Sequence, residues 1–266
     1  MNADLTGKKA VITGSTAGVG FDIARTLALA GAAVVINGRR PAAVEAAVAR
    51  LAAVAPGVSV QGVACDVGTA EGCARLLAEH PEADIFINNI GIYESRDFLD
   101  VQDEEWSRYF EVNVMSAVRL SRAYLPAMLK KYFGRIIFIS SEWALNIPAD
   151  MIPYGLSKAA VFHLAQSLSK RTSCTGVTAN AVLLGPIRPT GEDSRGADGE
   201  ACLTMEETLS AFSSEHHALA SGFPHVATTD EVADTVLYLA SAQASATTGA
   251  LLHLDGAVGV ARLRTN

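Results

Sequence analysis

Short runs rich in β-branched residues alternate along this chain with Ala/Leu-rich stretches of helical period, and that alternation constrains the fold more than any other feature. KKAVIT (8–13), AAVVIN (32–37), VSVQGVA (58–64), DIFINN (84–89), GRIIFIS (134–140), GVTANAVLL (176–184) and ALLHLD (250–255) read as strands. Between the first two lies GFDIARTLALA (20–30), apolar at i, i+3 and i+4, and an Ala-rich helix opens at Pro41. A long helical stretch with an apolar stripe covers about 104–130, and another helix follows the fifth strand. Strand–helix alternation calls for right-handed crossovers and a parallel sheet covered on both faces. The expectation is therefore α/β: a single-domain, Rossmann-type, doubly wound parallel sheet of seven strands with helices on both faces, spanning 1–266.

Half of the residues are hydrophobic and 18% are charged, enough to bury a large core without disulfides or metals. A formal charge of -7 argues against nucleic acid as a partner, since phosphate binding calls for clustered Lys and Arg. No apolar run approaches a membrane span, and MNADLTGKKAVIT lacks the layout of a signal peptide. Cys65, Cys73, Cys174 and Cys202 show no Cys-x-x-Cys spacing and read as reduced thiols, so the expected location is the cytoplasm. His216 and His217 have no third ligand at plausible spacing, and no metal is expected. The stretch 186–225 breaks the rhythm with Pro, Gly and acidic residues and reads as a substrate loop or lid.

TGSTAGVG (13–20) joins the first strand to the next helix. Gly14, Gly18 and Gly20, with Ser15, Thr16 and Val19 between them, suit a tight turn that brings backbone N–H groups and a helix N-terminus to a pyrophosphate. The second strand ends in NGRR, so Asn37 is followed by Arg39 and Arg40 where an NAD site usually carries an acid. A guanidinium pairs with a 2′-phosphate, and NADP(H) is expected over NAD(H). One of the two arginines could be only a solvated surface charge, and for Arg40 the two readings stand even.

MIPYGLSK (151–158) sets Tyr154 and Lys158 four residues apart, on one helix face. An amphipathic helix with a snorkelling lysine would show the same pair. The chemical reading is a phenol that moves a proton as a carbonyl becomes an alcohol. A neighbouring lysine cation, aided by an oxidised nicotinamide's charge, would lower the phenol's pKa from its usual value of about 10.

The spacing Gly-x-x-x-Gly-x-Gly, the NNIG at 88–91, Ser141 thirteen residues before Tyr154 and Asn113 forty-one before it together resemble the short-chain dehydrogenase/reductases, notably members like the 3-oxoacyl-carrier-protein reductases. The resemblance runs from Gly7 to Asp255. It implies a catalytic set of Asn113, Ser141, Tyr154 and Lys158 and an oxidoreductase interconverting a small-molecule carbonyl and secondary alcohol. It also implies that Lys158 bonds the nicotinamide ribose, that Ser141 holds the substrate oxygen, and that Asn113 anchors a water. Asp66 and Val67 would close the adenine pocket, Asn89 and Gly91 would flank the cofactor, and Pro186, Ile187 and Thr190 would meet the nicotinamide. Trp143 is a candidate for the substrate wall. The same family commonly forms tetramers, so a homotetramer or dimer is expected.

Three positions depart from the family pattern. Leu184 stands where proline is usual, Thr190 is displaced by one residue, and Ile90 replaces a common alanine and should reshape the floor of the site. A protein of this fold that senses dinucleotides without turning anything over is the alternative; it should lack the tyrosine or the lysine.

Overall fold

The computed structural model of the chain describes residues 3–188 and 226–256. Its strands and helices are β1 (Lys9–Ile12), α1 (Gly18–Leu29), β2 (Ala33–Gly38), α2 (Pro41–Val54), β3 (Val60–Ala64), α3 (Ala70–Glu79), β4 (Ile85–Asn88), α4 (Asp103–Tyr109), α5 (Ser116–Lys131), β5 (Gly134–Ser141), α6 (Ile152–Arg171), β6 (Val177–Leu184), β7 (Ile187–Arg188), β8 (Ala227–Thr228), α7 (Thr229–Ala240) and β9 (Leu251–Leu254). Seven strands form one sheet in the order β3-β2-β1-β4-β5-β6-β9. Every pairing is parallel, and the seven are the seven runs expected from sequence.

Alternate residues of the central strands supply two cores, as a pleat of period two requires. Ala10 and Ile12 of β1, Ile85 and Ile87 of β4 and Ile137 of β5 pack beneath α1, α2 and α7. Val11, Phe86, Ile136 and Phe138 face the other way, against Leu120, Tyr124 and Met128 of α5 and Val161 of α6. Helices thus cover both faces, which is why the strands read as nearly continuous apolar runs. The winding direction reverses between β1 and β4. Ligands of such sheets sit beside that crevice, at the carboxyl ends of the strands.

Three features differ from the sequence expectation. The helix expected over 104–130 is interrupted: Phe110–Met115 forms a π-turn between α4 and α5. The extra residue in that turn re-aims the side chain of Asn113 without breaking the apolar stripe, so periodicity alone does not reveal it. α3 and α7 were not anticipated, although both carry a readable start. Thr69 accepts a hydrogen bond from the N–H of Gly72, and Thr228 with Glu231 forms a capping box. Finally, β7 and β8 pair in parallel as a small second sheet. It joins the two ends of the stretch expected to form a substrate loop. From residue 189 to 225 that stretch lies outside the described residues, as do Thr190, Cys202, His216 and His217.

Candidate active site

Two cavities open at the carboxyl ends of the strands and share Asn89 and Gly91 in their walls. The first, of about 330 Å³, lies over the β1–α1 turn and the ends of β2 and β3, and it is bounded by Gly14, Thr16, Asn37, Arg39, Asp66 and Val67. The second, of about 430 Å³, lies over β5 and the start of α6 and contains Ser141, Trp143, Tyr154 and Lys158.

The floor of the first cavity is backbone. Gly14 has φ +60, and a Cβ placed on Gly20 would lie 2.4 Å from the Gly14 carbonyl oxygen. Only a residue without a side chain lets α1 start this close to the turn. Ala17, at the N-cap of α1 and in the lining of this cavity, offers no side-chain acceptor, so the first-turn N–H groups have no side-chain cap. That is the cradle a pyrophosphate fits. Gly18 begins the helix, and Gly20 acts through packing.

Ser15 and Asn37 brace this turn. Ser15 is buried; its hydroxyl donates to the Ile12 carbonyl at 2.7 Å and accepts from the Asn37 N–H at 3.0 Å. The Asn37 amide donates to the carbonyls of Val63 and Cys65, both at 3.2 Å. Asn89 closes the other side by donating to the carbonyls of Thr13 (3.1 Å) and Gly14 (2.9 Å). Asp66 accepts from the Gly68 N–H at 2.9 Å, fixing the turn after β3, and Val67 follows it on the cavity wall. Arg39 borders the cavity; Arg40, at the N-cap of α2, is exposed and outside its lining. Arg108 of α4 faces the same cavity, a cation the motif reading missed because it sits on an element with no motif. Ile90 lines this cavity too and packs against the second core, as its bulk suggested.

In the second cavity four elements meet. β5 ends at Ser141, whose Oγ accepts from the Trp143 N–H at 3.2 Å and so starts a short 3-10 turn, Glu142–Ala144. α6 contributes Tyr154 and, one turn on, Lys158. The lysine is buried: its Nζ donates to the Ile139 carbonyl at 3.0 Å and stands 5.8 Å from the centroid of the Tyr154 ring. Its own carbonyl accepts from the Ser140 hydroxyl at 3.0 Å, which locks α6 onto β5. Asn113 is fully buried and engaged on both sides of its amide. It accepts from the Ile92 N–H (2.8 Å) and donates to the Ile92 carbonyl (3.1 Å) and to Ser157 Oγ (2.8 Å). The π-turn thus ties the loop after β4, at Ile92, to α6. Val19, Leu184, Pro186 and Ile187 line the side toward α1, and buried Glu142 adds a carboxylate to the wall.

Burial pushes the Tyr154 phenol up to about 12, and a hydrogen bond with Ser141 draws it partly back. Burial draws Lys158 down to about 8. The sequence expectation was a phenol lowered by its lysine. The protein's own groups give the opposite direction, because desolvation disfavours phenolate and ammonium alike and Nζ is aimed at a carbonyl.

The short chain dehydrogenase family model matches residues 8–199. The chain belongs to the short-chain dehydrogenases. As a member it is an NAD(P)-dependent oxidoreductase acting on CH–OH and carbonyl groups. Among relatives of this short-chain dehydrogenase, an uncharacterized oxidoreductase of Bacillus subtilis, YvaG, is 39% identical over 259 residues, covering 96% of this chain and 97% of that protein. The 3-oxoacyl-[acyl-carrier-protein] reductase of Escherichia coli is 31% identical over 251 residues, covering 94% and 96%. In structure the chain is similar to L-sorbose reductase from Gluconobacter frateurii, solved with NADPH and L-sorbose. The TM-score is 0.83 at 27% identity, and all of both chains is covered. No helix among the described residues is long and apolar enough to cross a membrane, and no cluster of metal-ligating side chains occurs among them.

Proposed function

We propose that this short-chain dehydrogenase interconverts a carbonyl and a secondary alcohol with NADP(H), using Tyr154 as its acid–base group. The observation that carries the proposal is the meeting of Ser141, Tyr154 and Lys158 in a cavity that shares Asn89 and Gly91 with the glycine cradle. When bound, a nicotinamide dinucleotide supplies or takes up the hydride. The β1–α1 turn, Asp66 and Val67 would hold its adenosine and pyrophosphate half, and Asn89, Gly91, Val19, Pro186 and Ile187 its nicotinamide half.

The remaining work belongs to side chains. Ser141 donates to the substrate oxygen and favours the charge that develops there. The Tyr154 hydroxyl transfers its proton to that oxygen in reduction and recovers it in oxidation. A phenol held high by burial is fully protonated at neutral pH, which suits reduction. Lys158, whose Nζ stands 5.8 Å from the centre of the Tyr154 ring, would hold the nicotinamide ribose and supply a positive charge beside the phenol. Asn113 ties Ile92 to Ser157 and so fixes the segment after β4 against the catalytic helix.

Arg39 and Arg108 in the lining of the adenine-side cavity support NADP(H) over NAD(H), because a guanidinium can pair with a 2′-phosphate and a carboxylate would repel it. A homo-oligomer, dimer or tetramer, belongs to the same reading. Phe110 and Leu156 leave apolar surface exposed beside the segments that carry Asn113 and Tyr154.

Purified protein mixed with NADPH and a panel of ketones should consume the reduced nicotinamide. Failure across acyl thioesters, cyclic ketones, steroids and sugars, with cofactor binding intact, would favour the silent sensor. Retention of both the tyrosine and the lysine speaks against that alternative. Sedimentation at several concentrations tests the oligomer.

A further inference from the structure

The phenol of Tyr154 is framed by two other aromatic rings. Tyr93, five residues beyond the end of β4, stands with its ring centroid 6.0 Å from that of Tyr154 at an interplanar angle of 63°. Trp143 stands at the same 6.0 Å, at 88°. Both rings line the substrate-side cavity, and both therefore present edges or faces to whatever oxygen approaches Tyr154. Tyr93 is 74% exposed, an unusual position for a large ring that touches a catalytic group.

Exposure does not leave the frame loose, because each ring sits on a braced loop. The loop after Tyr93 is tied across the cavity mouth to the segment that enters α6. Ser95 Oγ donates to Asp150 Oδ2 at 2.5 Å, and the Arg96 N–H donates to the Asp150 carbonyl at 2.8 Å. On its other flank the Glu94 carbonyl accepts from the Tyr109 hydroxyl at 3.2 Å. The Trp143 loop lies flush on α6 over Gly155. A Cβ there would come within 2.6 Å of the Ile147 side chain and 2.8 Å of the Trp143 carbonyl. Preorganised aromatic walls of this kind recognise flat apolar groups, with little ordering cost on binding.

We propose that Tyr93 and Trp143 are specificity-determining residues that select carbonyl substrates bearing a planar or ring-shaped apolar substituent next to the reacting carbon. This names the substrate class within the function proposed above and rests on it. Selection comes from the substituent lying against the two rings while its oxygen reaches Ser141 and Tyr154. The Ser95–Asp150 tie acts one step back, as a positioning contact that holds Tyr93 over the site.

The test compares acetophenone with 2-butanone as NADPH-dependent substrates of the wild type and of Tyr93→Ala and Trp143→Ala. The ratio of kcat/KM for the aryl over the aliphatic ketone should fall about tenfold in each variant, the scale of one aromatic contact plus its buried area. Tyr93→Phe and Trp143→Phe, which keep a flat ring, should restore most of the ratio. Ser95→Ala should raise KM for acetophenone more than it lowers kcat, which a merely structural loss of stability would not do. A ratio unchanged in both alanine variants, or a wild type that prefers 2-butanone, overturns the proposal. Calorimetric titration of acetophenone into the protein saturated with NADP⁺, a pairing in which both partners are oxidised and cannot react, provides a second arm that needs no turnover. Binding weakened about tenfold in the alanine variants supports the aromatic frame even where no ketone is reduced, which would sink only the reductase reading. Equal binding to wild type and both variants overturns the frame itself.

Discussion

The two cavities that share Asn89 and Gly91 are built of different material. Over the β1–α1 turn the walls are mostly backbone: a glycine turn, a helix start without a side-chain cap, and internal braces from Ser15 and Asn37. Over β5 and α6 they are side chains: Ser141, Trp143, Tyr154, Lys158 and, from a separate loop, Tyr93. A backbone cradle depends on which residues are missing a side chain, and it serves any ligand with the same phosphates. A side-chain wall depends on which residues are present, and it can be rewritten without disturbing the turn beside it. The chain therefore sets a wall of backbone beside a wall of side chains in adjoining spaces.

The contrast can be broken by experiment, and Tyr154→Phe is the strongest blow. Removing an acid–base hydroxyl should cut kcat by about 10²–10⁴-fold while the NADPH Kd, read by fluorescence titration, changes by about twofold or less. A matching loss of cofactor affinity would mean that the two cavities are not separable.

Next comes pH. Lys158 has its pKa drawn down to about 8, so between that value and the unfolded lysine's 10.5 the unfolded chain binds more protons than the folded one. Stability should rise with pH across that window, by about 3 kcal/mol if the whole shift is expressed. Tyr154, raised to about 12 from 10.0, acts in the opposite sense: its contribution is complete below 10 and is lost as pH climbs toward 12. Denaturant unfolding from pH 8 to 9 should show the rise, below the range in which the buried Cys73 thiol, raised to about 11, and Tyr154 act in the opposite sense, and Lys158→Met should flatten it.

On the backbone side, Gly20→Ala places a methyl 2.4 Å from the Gly14 carbonyl oxygen. The expected cost is about 1–3 kcal/mol of stability, with NADPH affinity lowered alongside it, checked by thermal unfolding with and without cofactor. An unperturbed variant would show that the cradle is looser than its distances.

The smallest effect sharpens the contrast instead. Arg39→Ala removes one side chain from the backbone cavity and should raise the Kd for NADPH about tenfold while that for NADH moves far less. Equal effects on both cofactors would remove the 2′-phosphate assignment.

Legibility in the sequence follows the same division. Seven β-branched runs announced the sheet because parallel strands are buried on both faces and need no partner pattern to be recognised. The glycine turn was legible because three residues without side chains are rare in a strand–turn–helix context. Ser141, Tyr154 and Lys158 were found by spacing along β5 and α6, two adjacent elements. Tyr93 and Arg108 were missed for one reason: Tyr93 lies on the loop after β4 and Arg108 on a helix with no motif, and each reaches its cavity only through the fold. The π-turn at Asn113 was hidden for another, since one extra residue in a helix leaves the hydrophobic stripe nearly in phase. The phenol's raised pKa could not be read from a Tyr-x-x-x-Lys spacing, because desolvation is a property of everything packed around the pair.

The small parallel pairing of β7 with β8 has a consequence for how such a chain can change. The polypeptide departs from the site at Arg188 and rejoins it at Ala227, and 38 residues (189–226) run between two neighbouring points. Lengthening or shortening a closed loop alters its closure entropy only slowly, by about 0.6 kcal/mol for each doubling. Mutation can therefore rewrite or resize that stretch while the sheet registers the same two anchor points. A change of length between those two points therefore leaves the strand order and registers of the main sheet as they are.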